Sequence, residues 1–174
     1  MIWNIPPSDG AEKNLLKTSN EKSREQKMEM HPYRTHTCNQ LRKEDAGKTV
    51  RLSGWMFRLR DHGGILFVDL RDHYGRTQVV VHPSRPFFQE ATDLKLESVV
   101  TVTGQVVARG EGEVNHEIDT GAVELVADEF VVESAAEQTP IYLAGDGSDV
   151  GGEDLRLKYR YLDLRNRKIH DNIV

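Results

Sequence analysis

Along this chain the apolar residues change their spacing several times, and each change marks an element. Val50, Leu52 and Met56 alternate with Arg51, Ser53 and Trp55, the period of two expected where one face of a strand is buried. That predicts a first strand over about 49–60. Gly63-Gly64 interrupts it, and Leu66, Val68 and Leu70 resume on every second position, predicting a second strand over 65–71. His73-Tyr74-Gly75 reads as a turn, and Gln78-Val79-Val80-Val81 falls in a third strand over 76–82. Ser84 then opens a helical spacing that puts Phe87, Ala91 and Leu94 on one face, so Phe87 and Phe88 are expected to plug a core. Residues 98–109 alternate again through Val100, Val102 and Val106, with Gly104 predicting a bulge or sharp bend. Gly110-Glu111-Gly112-Glu113 makes a loop tip, and 122–132 supplies a fifth strand.

The flanking segments are weaker. Asn39 as cap and Gly47 as stop predict a short N-terminal helix over 39–47. Residues 1–30 contain Pro6-Pro7-Ser8-Asp9-Gly10, and Leu15-Leu16 is too little apolar surface to dock, so a disordered extension is expected. Residues 135–153, with Pro140 and the Gly-rich run 145–152, read as a linker. Over 154–174, Leu155, Tyr159 and Leu162 return to helical spacing, predicting a partly helical tail. Three strands, a helix and two strands over 31–134 is the order of an OB-fold. That all-β, five-stranded Greek-key barrel commonly binds oligonucleotides on its second and third strands.

Composition narrows this. A chain of 174 residues with 37% hydrophobic content supports one modest core plus extensions. No apolar run approaches the ~20 residues of a membrane span, and residues near Met1 lack the apolar core of a signal peptide. Cys38 is the only cysteine, which excludes an internal disulfide and a cysteine-based zinc site and suits a reducing, cytoplasmic setting. The seven histidines are scattered, so no metal is expected.

The net charge of −5 is unevenly spread. Residues 31–62 carry seven Lys/Arg against three Asp/Glu, residues 83–154 three against sixteen, and residues 155–174 six against two. Binding follows the local field rather than the total, so the first strand and the tail are the basic surfaces. An acidic, solvated middle suits a small nucleic-acid footprint and equally suits any soluble protein.

Candidate chemistry gathers on the first three strands. Phe67 and Gln78 fall out of phase with the apolar face, and Arg58 and Arg60 lie at the end of the first strand. Arginine supplies phosphate charge and base-edge donors, an exposed ring stacks on bases, and Gln offers donor and acceptor together. By pattern alone, Phe67 could equally pack against a neighbour and the arginines could be solvated strand ends. No paired carboxylates or Ser/His/Asp set suggests catalysis, and the 145–152 run lacks the Lys-Ser/Thr of a P-loop.

The run GWMFRLRDHGGILFVDLRDHYGRTQVVV over 54–81 resembles the anticodon-binding domain of bacterial-type aspartyl-tRNA synthetases, class II ligases. The resemblance runs from about His36 to Asn172. Parts of it are shared with asparaginyl and lysyl relatives, while Asp61-His62-Gly63-Gly64 and Tyr159-Arg160-Tyr161-Leu162-Asp163-Leu164-Arg165 favour the aspartyl branch. Asn166-Arg167 departs from the family's Arg-Pro. Met30, where the resembling segment opens, is a second candidate start.

The resemblance implies an anticodon-binding module and hinge belonging to an enzyme that uses ATP and Mg to attach aspartate to tRNA-Asp. That catalytic domain lies downstream and is expected to be missing here, so the chain should bind tRNA without catalysis and hold no cofactor. The parent enzyme would be a homodimer through the missing domain. By the same resemblance Phe67 stacks on the central uridine of the anticodon, and Gln78 and Arg60 bond its edge. Arg58 holds phosphate, and Arg109 and Glu124 face the outer anticodon bases. His62 and Gly112 match positions where non-discriminating enzymes, which also charge tRNA-Asn, differ from strict ones. The alternatives are a free-standing OB-fold binder of single-stranded nucleic acid, a module that pairs with a protein, or the same domain of an asparaginyl or lysyl ligase.

Overall fold

The computed structural model describes residues 33–143, 152–166, 169–170 and 172–173. Five strands close into a barrel in the order β1-β2-β3-β5-β4. They are β1 (Thr49–His62), β2 (Ile65–Arg71), β3 (Arg76–Val81), β4 (Val99–Ala108) and β5 (Val123–Ser134). All pairings are antiparallel except β3 with β5, which join in parallel at Val79–Leu125 and Val80–Val126 and so close the barrel. This is the OB-fold order predicted from the spacing.

The period-two residues do what their spacing requires. Leu52, Met56, Leu66, Val68, Leu70, Val79, Val81, Val102, Val106 and Leu125 are all buried in one cluster. Helix α1 (Phe88–Asp93) follows β3 and starts later than Ser84, because residues 84–87 form turns first. Phe87 stacks on Phe130 with centroids 5.8 Å apart, and both Phe87 and Phe88 pack against the barrel core.

Three glycines explain how the barrel closes and turns. A Cβ on Gly104 would lie 2.1 Å from the Val126 carbonyl oxygen, and the β4–β5 register shifts between Thr103 and Gly104. Only a residue without a side chain lets the two strands approach so closely at this bend. At the β1–β2 turn Gly63 and Gly64 take φ of +64° and +79°, and Asp61 Oδ1 accepts from Gly64 N at 3.0 Å. Positive φ at both central positions is what a tight hairpin with the twist of its strands demands.

Two flanking expectations change. The helix predicted over 39–47 is reduced to a single 3₁₀ turn, Lys43–Asp45, preceded by Arg42 rather than capped by Asn39. The preceding backbone is held elsewhere: Cys38 N donates to buried Asp72 Oδ2 at 2.9 Å, and Cys38 O accepts from Thr77 Oγ1 at 2.7 Å. Leu41, fully buried, anchors the same segment to the core. In the expected linker, Ile141 and Leu143 are buried in a small cluster with Leu162, against which Leu155 and Tyr159 pack. Apolar burial thus ties 141–143 to the tail helices α2 (Glu153–Lys158) and α3 (Arg160–Asp163). The extension over 1–30 and residues 144–151 of the linker lie outside the described residues.

Candidate nucleic-acid interface

On β1, β2 and β3 the residues between the core positions point outward, and strand register sets them side by side. Arg60 faces Phe67, which faces Val80; Arg58 faces Asp69, which faces Gln78. Phe67 is partly exposed and lies outside the core cluster. It lines a shallow open depression with Arg60, Asp61 and His62 at the tip of the β1–β2 hairpin. An aromatic ring on a sheet face beside a cation can accept a stacked base.

Beside Phe67 a polar row crosses the barrel. Arg60 Nη2 donates to Asp69 Oδ1 at 2.9 Å and to Gln78 Oε1 at 3.3 Å. Gln78 Nε2 donates to Glu124 Oε2 at 3.4 Å. Arg109 Nε approaches the same Glu124 oxygen at 3.3 Å, an ion pair in which the N–H is not aimed at the oxygen. The row therefore takes one residue from each of β1, β2, β3 and β5, and ends on Arg109, one position past β4. Charge alternates along it, so each group is held by its neighbours.

Burial within the row is uneven, and that decides what each group can offer. Arg60 keeps 47% of its side chain exposed, while Gln78, out of phase as expected, is nonetheless only 8% exposed because the row covers it. The Arg109 side chain is 7% exposed, and its Nε and Nη2 are without hydrogen-bond acceptors among the described residues. Its Nη1 donates to Glu113 O at 3.3 Å, which ties the β4–β5 connection to the row. Arg58 is half-buried and makes no ion pair among the described residues.

Arg58, Arg60, Phe67, Gln78, Glu124 and Arg109 thus share one face or its rim. His62 ends β1 at the edge of that face, while Gly112 stands apart on the β4–β5 connection. His62 is exposed beside Arg60 and Phe67, and Gly112 sits in a 3₁₀ turn (Glu111–Glu113) with nothing within 4 Å of where a Cβ would be. Asp69 is the member that sequence reasoning missed. The signal was available, since Asp69 shares the period-two face of Phe67, but an acidic residue there reads as solvated until Arg60 is found on it.

The sequence matches the tRNA anticodon family, described as an OB-fold nucleic acid binding domain, over residues 50–133. Its barrel belongs to that family. The OB domain and its flanks are 54% identical over 145 residues to the aspartate–tRNA(Asp/Asn) ligase of Gluconobacter oxydans, covering 83% of this chain and 24% of that protein. Identity to the aspartate–tRNA(Asp/Asn) ligase of Sinorhizobium medicae is also 54%, with the same coverage. Among solved structures, asparaginyl-tRNA synthetase from Pyrococcus horikoshii, complexed with asparaginyl-adenylate, superposes with a TM-score of 0.63 at 29% identity. That match covers 76% of this chain and 29% of that one. The chain therefore spans about a quarter of the length of these ligases, at 24%.

Among the described residues no cluster of three or more His, Cys, Asp or Glu could hold a metal ion, and no helix is long and apolar enough to cross a membrane.

Proposed function

We propose that the OB domain binds the anticodon loop of tRNA as the recognition module of an aspartate–tRNA ligase. In this reading Phe67 stacks on the central uridine, while Gln78 and Arg60 bond its edge. Arg58 holds backbone phosphate, and Glu124 and Arg109 meet the flanking bases. The observation that carries it is the row from Asp69 through Arg60, Gln78 and Glu124 to Arg109, beside a partly exposed Phe67. A base stacked on that ring would bring its edge to groups already oriented. Stacking supplies affinity with little sequence content, and the fixed Gln78 amide supplies the choice between bases, because a mismatched edge leaves donors and acceptors unpaired.

The parent activity belongs to the same proposal: ATP- and Mg-dependent attachment of aspartate to tRNA-Asp in the cytoplasm, by a homodimer whose catalytic domain is separate from this barrel. His62 and Gly112 support a module that accepts tRNA-Asn as well. The relatives bearing both amino acids' tRNAs in their names are consistent with that.

Amide chemical-shift mapping with an anticodon stem-loop RNA tests the location. The largest shifts are expected at Arg60, Phe67, Gln78 and Glu124. Shifts centred on α1 or on the tail would contradict it.

A further inference from the structure

Two rungs below Phe67 the same outer face carries a second aromatic and more arginine. The β1–β2 register slips between Met56 and Arg58, so Phe57 is the extra residue of a bulge. Two guanidinium groups lie over its ring, with Arg71 Cζ 5.0 Å and Arg76 Cζ 5.1 Å from the centroid. Both distances are within cation–π range. Arg71 and Arg76 are themselves register partners on β2 and β3.

The two arginines differ in what neutralises them. Arg71 donates to both carboxylate oxygens of buried Glu97, at 3.2 and 3.3 Å. Glu97 also takes Arg165 from the tail at 2.6 Å. Arg76 has no carboxylate partner among the described residues, and neither has Arg58 on the adjacent rung. Two uncompensated cations therefore share this part of the face. Phe57 already carries two guanidinium groups over its ring. An anion is what the unpaired N–H edges of Arg76 can take, since a guanidinium held on an aromatic still offers a planar donor fork.

We propose that Arg76, seated on Phe57, is a second phosphate-binding position of this face. With Arg58 it would hold the sugar–phosphate backbone next to the base that Gln78 reads. Arg76 precedes Gln78 by two residues on β3, about 7 Å along a strand, so a nucleic-acid strand crossing Gln78 reaches it without a detour. The inference rests on the nucleic-acid reading of the face given above.

The test is a salt titration of the whole chain against anticodon stem-loop RNAs with uridine or cytidine at the centre, comparing wild type, Arg76→Gln and Arg76→Lys. A phosphate contact predicts that Arg76→Gln lowers the slope of log affinity against log salt by about one. It also predicts that Arg76→Gln weakens both RNAs by the same factor, while Arg76→Lys keeps the wild-type slope. An unchanged slope for Arg76→Gln, or a loss confined to one of the two RNAs, overturns the proposal. Should wild type bind both RNAs equally, the anticodon reading fails while a lowered slope still supports the phosphate contact. Should wild type bind neither, both fall.

Discussion

Arg60 on β1 and Gln78 on β3 belong to strands that do not pair, yet Arg60 Nη2 reaches Gln78 Oε1 at 3.3 Å. The strand between them supplies the means. Asp69 on β2 takes the same nitrogen at 2.9 Å and stands opposite Gln78 in the register. With Oε1 accepting from Arg60 and Nε2 donating to Glu124, the Gln78 amide is held in one orientation. An amide free to flip would present donor or acceptor to a base indifferently.

Asp69→Asn should therefore reduce the preference between central bases more than it reduces affinity. Stability should change by no more than about 1 kcal/mol, because the Arg60 partner is half exposed. Paired titrations with uridine- and cytidine-centred stem-loops, beside a urea melt, read both quantities. An unchanged preference would mean that Arg60 and Gln78 are oriented without Asp69.

Phe67→Ala should weaken RNA binding by roughly 1–3 kcal/mol, the usual worth of one base–aromatic stack, and leave the melting temperature nearly unchanged. A core phenylalanine would behave oppositely, costing ~3–5 kcal/mol of stability. The ring lies outside the buried cluster, so the first outcome is expected. A large melting shift with little change in affinity would show that the ring is structural.

The barrel was legible because its inward positions are Val, Leu and Met on a strict period of two, bounded by glycines with defined jobs. Gly104 and Gly63-Gly64 each marked a bend or turn that the backbone then required. Asn39 to Gly47 misled for a physical reason. Cap and stop residues can bracket a helix, but Asp72 and Thr77, distant in sequence, claim the Cys38 backbone and leave room for one 3₁₀ turn. Tertiary hydrogen bonds of that kind have no local signature. The same limit hid the polar row: Arg60, Gln78 and Glu124 could be singled out one at a time, but not the alternation of charge that orders them. Ile141 and Leu143 were obscured by the polar, Gly-rich stretch that follows them.

Cys38 gives a pH-dependent prediction. Burial, then the neighbouring Asp72 charge, pushes its thiol far above its ordinary 9.0. In the unfolded chain the thiol ionises near that ordinary value, whereas in the barrel it stays protonated. Above about pH 9 the unfolded state then binds fewer protons, and stability falls as pH rises, by up to about 1.4 kcal/mol per pH unit from this group. Below that pH the group contributes no slope. Urea unfolding from pH 7 to 10 should show wild type losing stability relative to Cys38→Ala at the alkaline end. A constant difference between the two across that range would contradict the assignment.

His62 and Gly112 are expected to leave the last anticodon base loosely read. Gly112 offers no side chain, and its site is open enough to accept one without a clash. Stem-loops ending the anticodon in cytidine or uridine should bind within about 1 kcal/mol of each other. His62→Leu combined with Gly112→Lys should open a preference for the cytidine form, that of tRNA-Asp. A wild-type preference already above roughly tenfold, about 1.4 kcal/mol, would reduce both residues to turn formers.

The most direct test of the account is one titration of the wild-type chain against two anticodon stem-loops identical except for the central base. Gln78, held by Arg60 and Glu124 beside Phe67, predicts tighter binding of the uridine form, with a salt-dependent affinity reporting only a few phosphate contacts. Equal affinity for the cytidine form would show that this face does not read an anticodon.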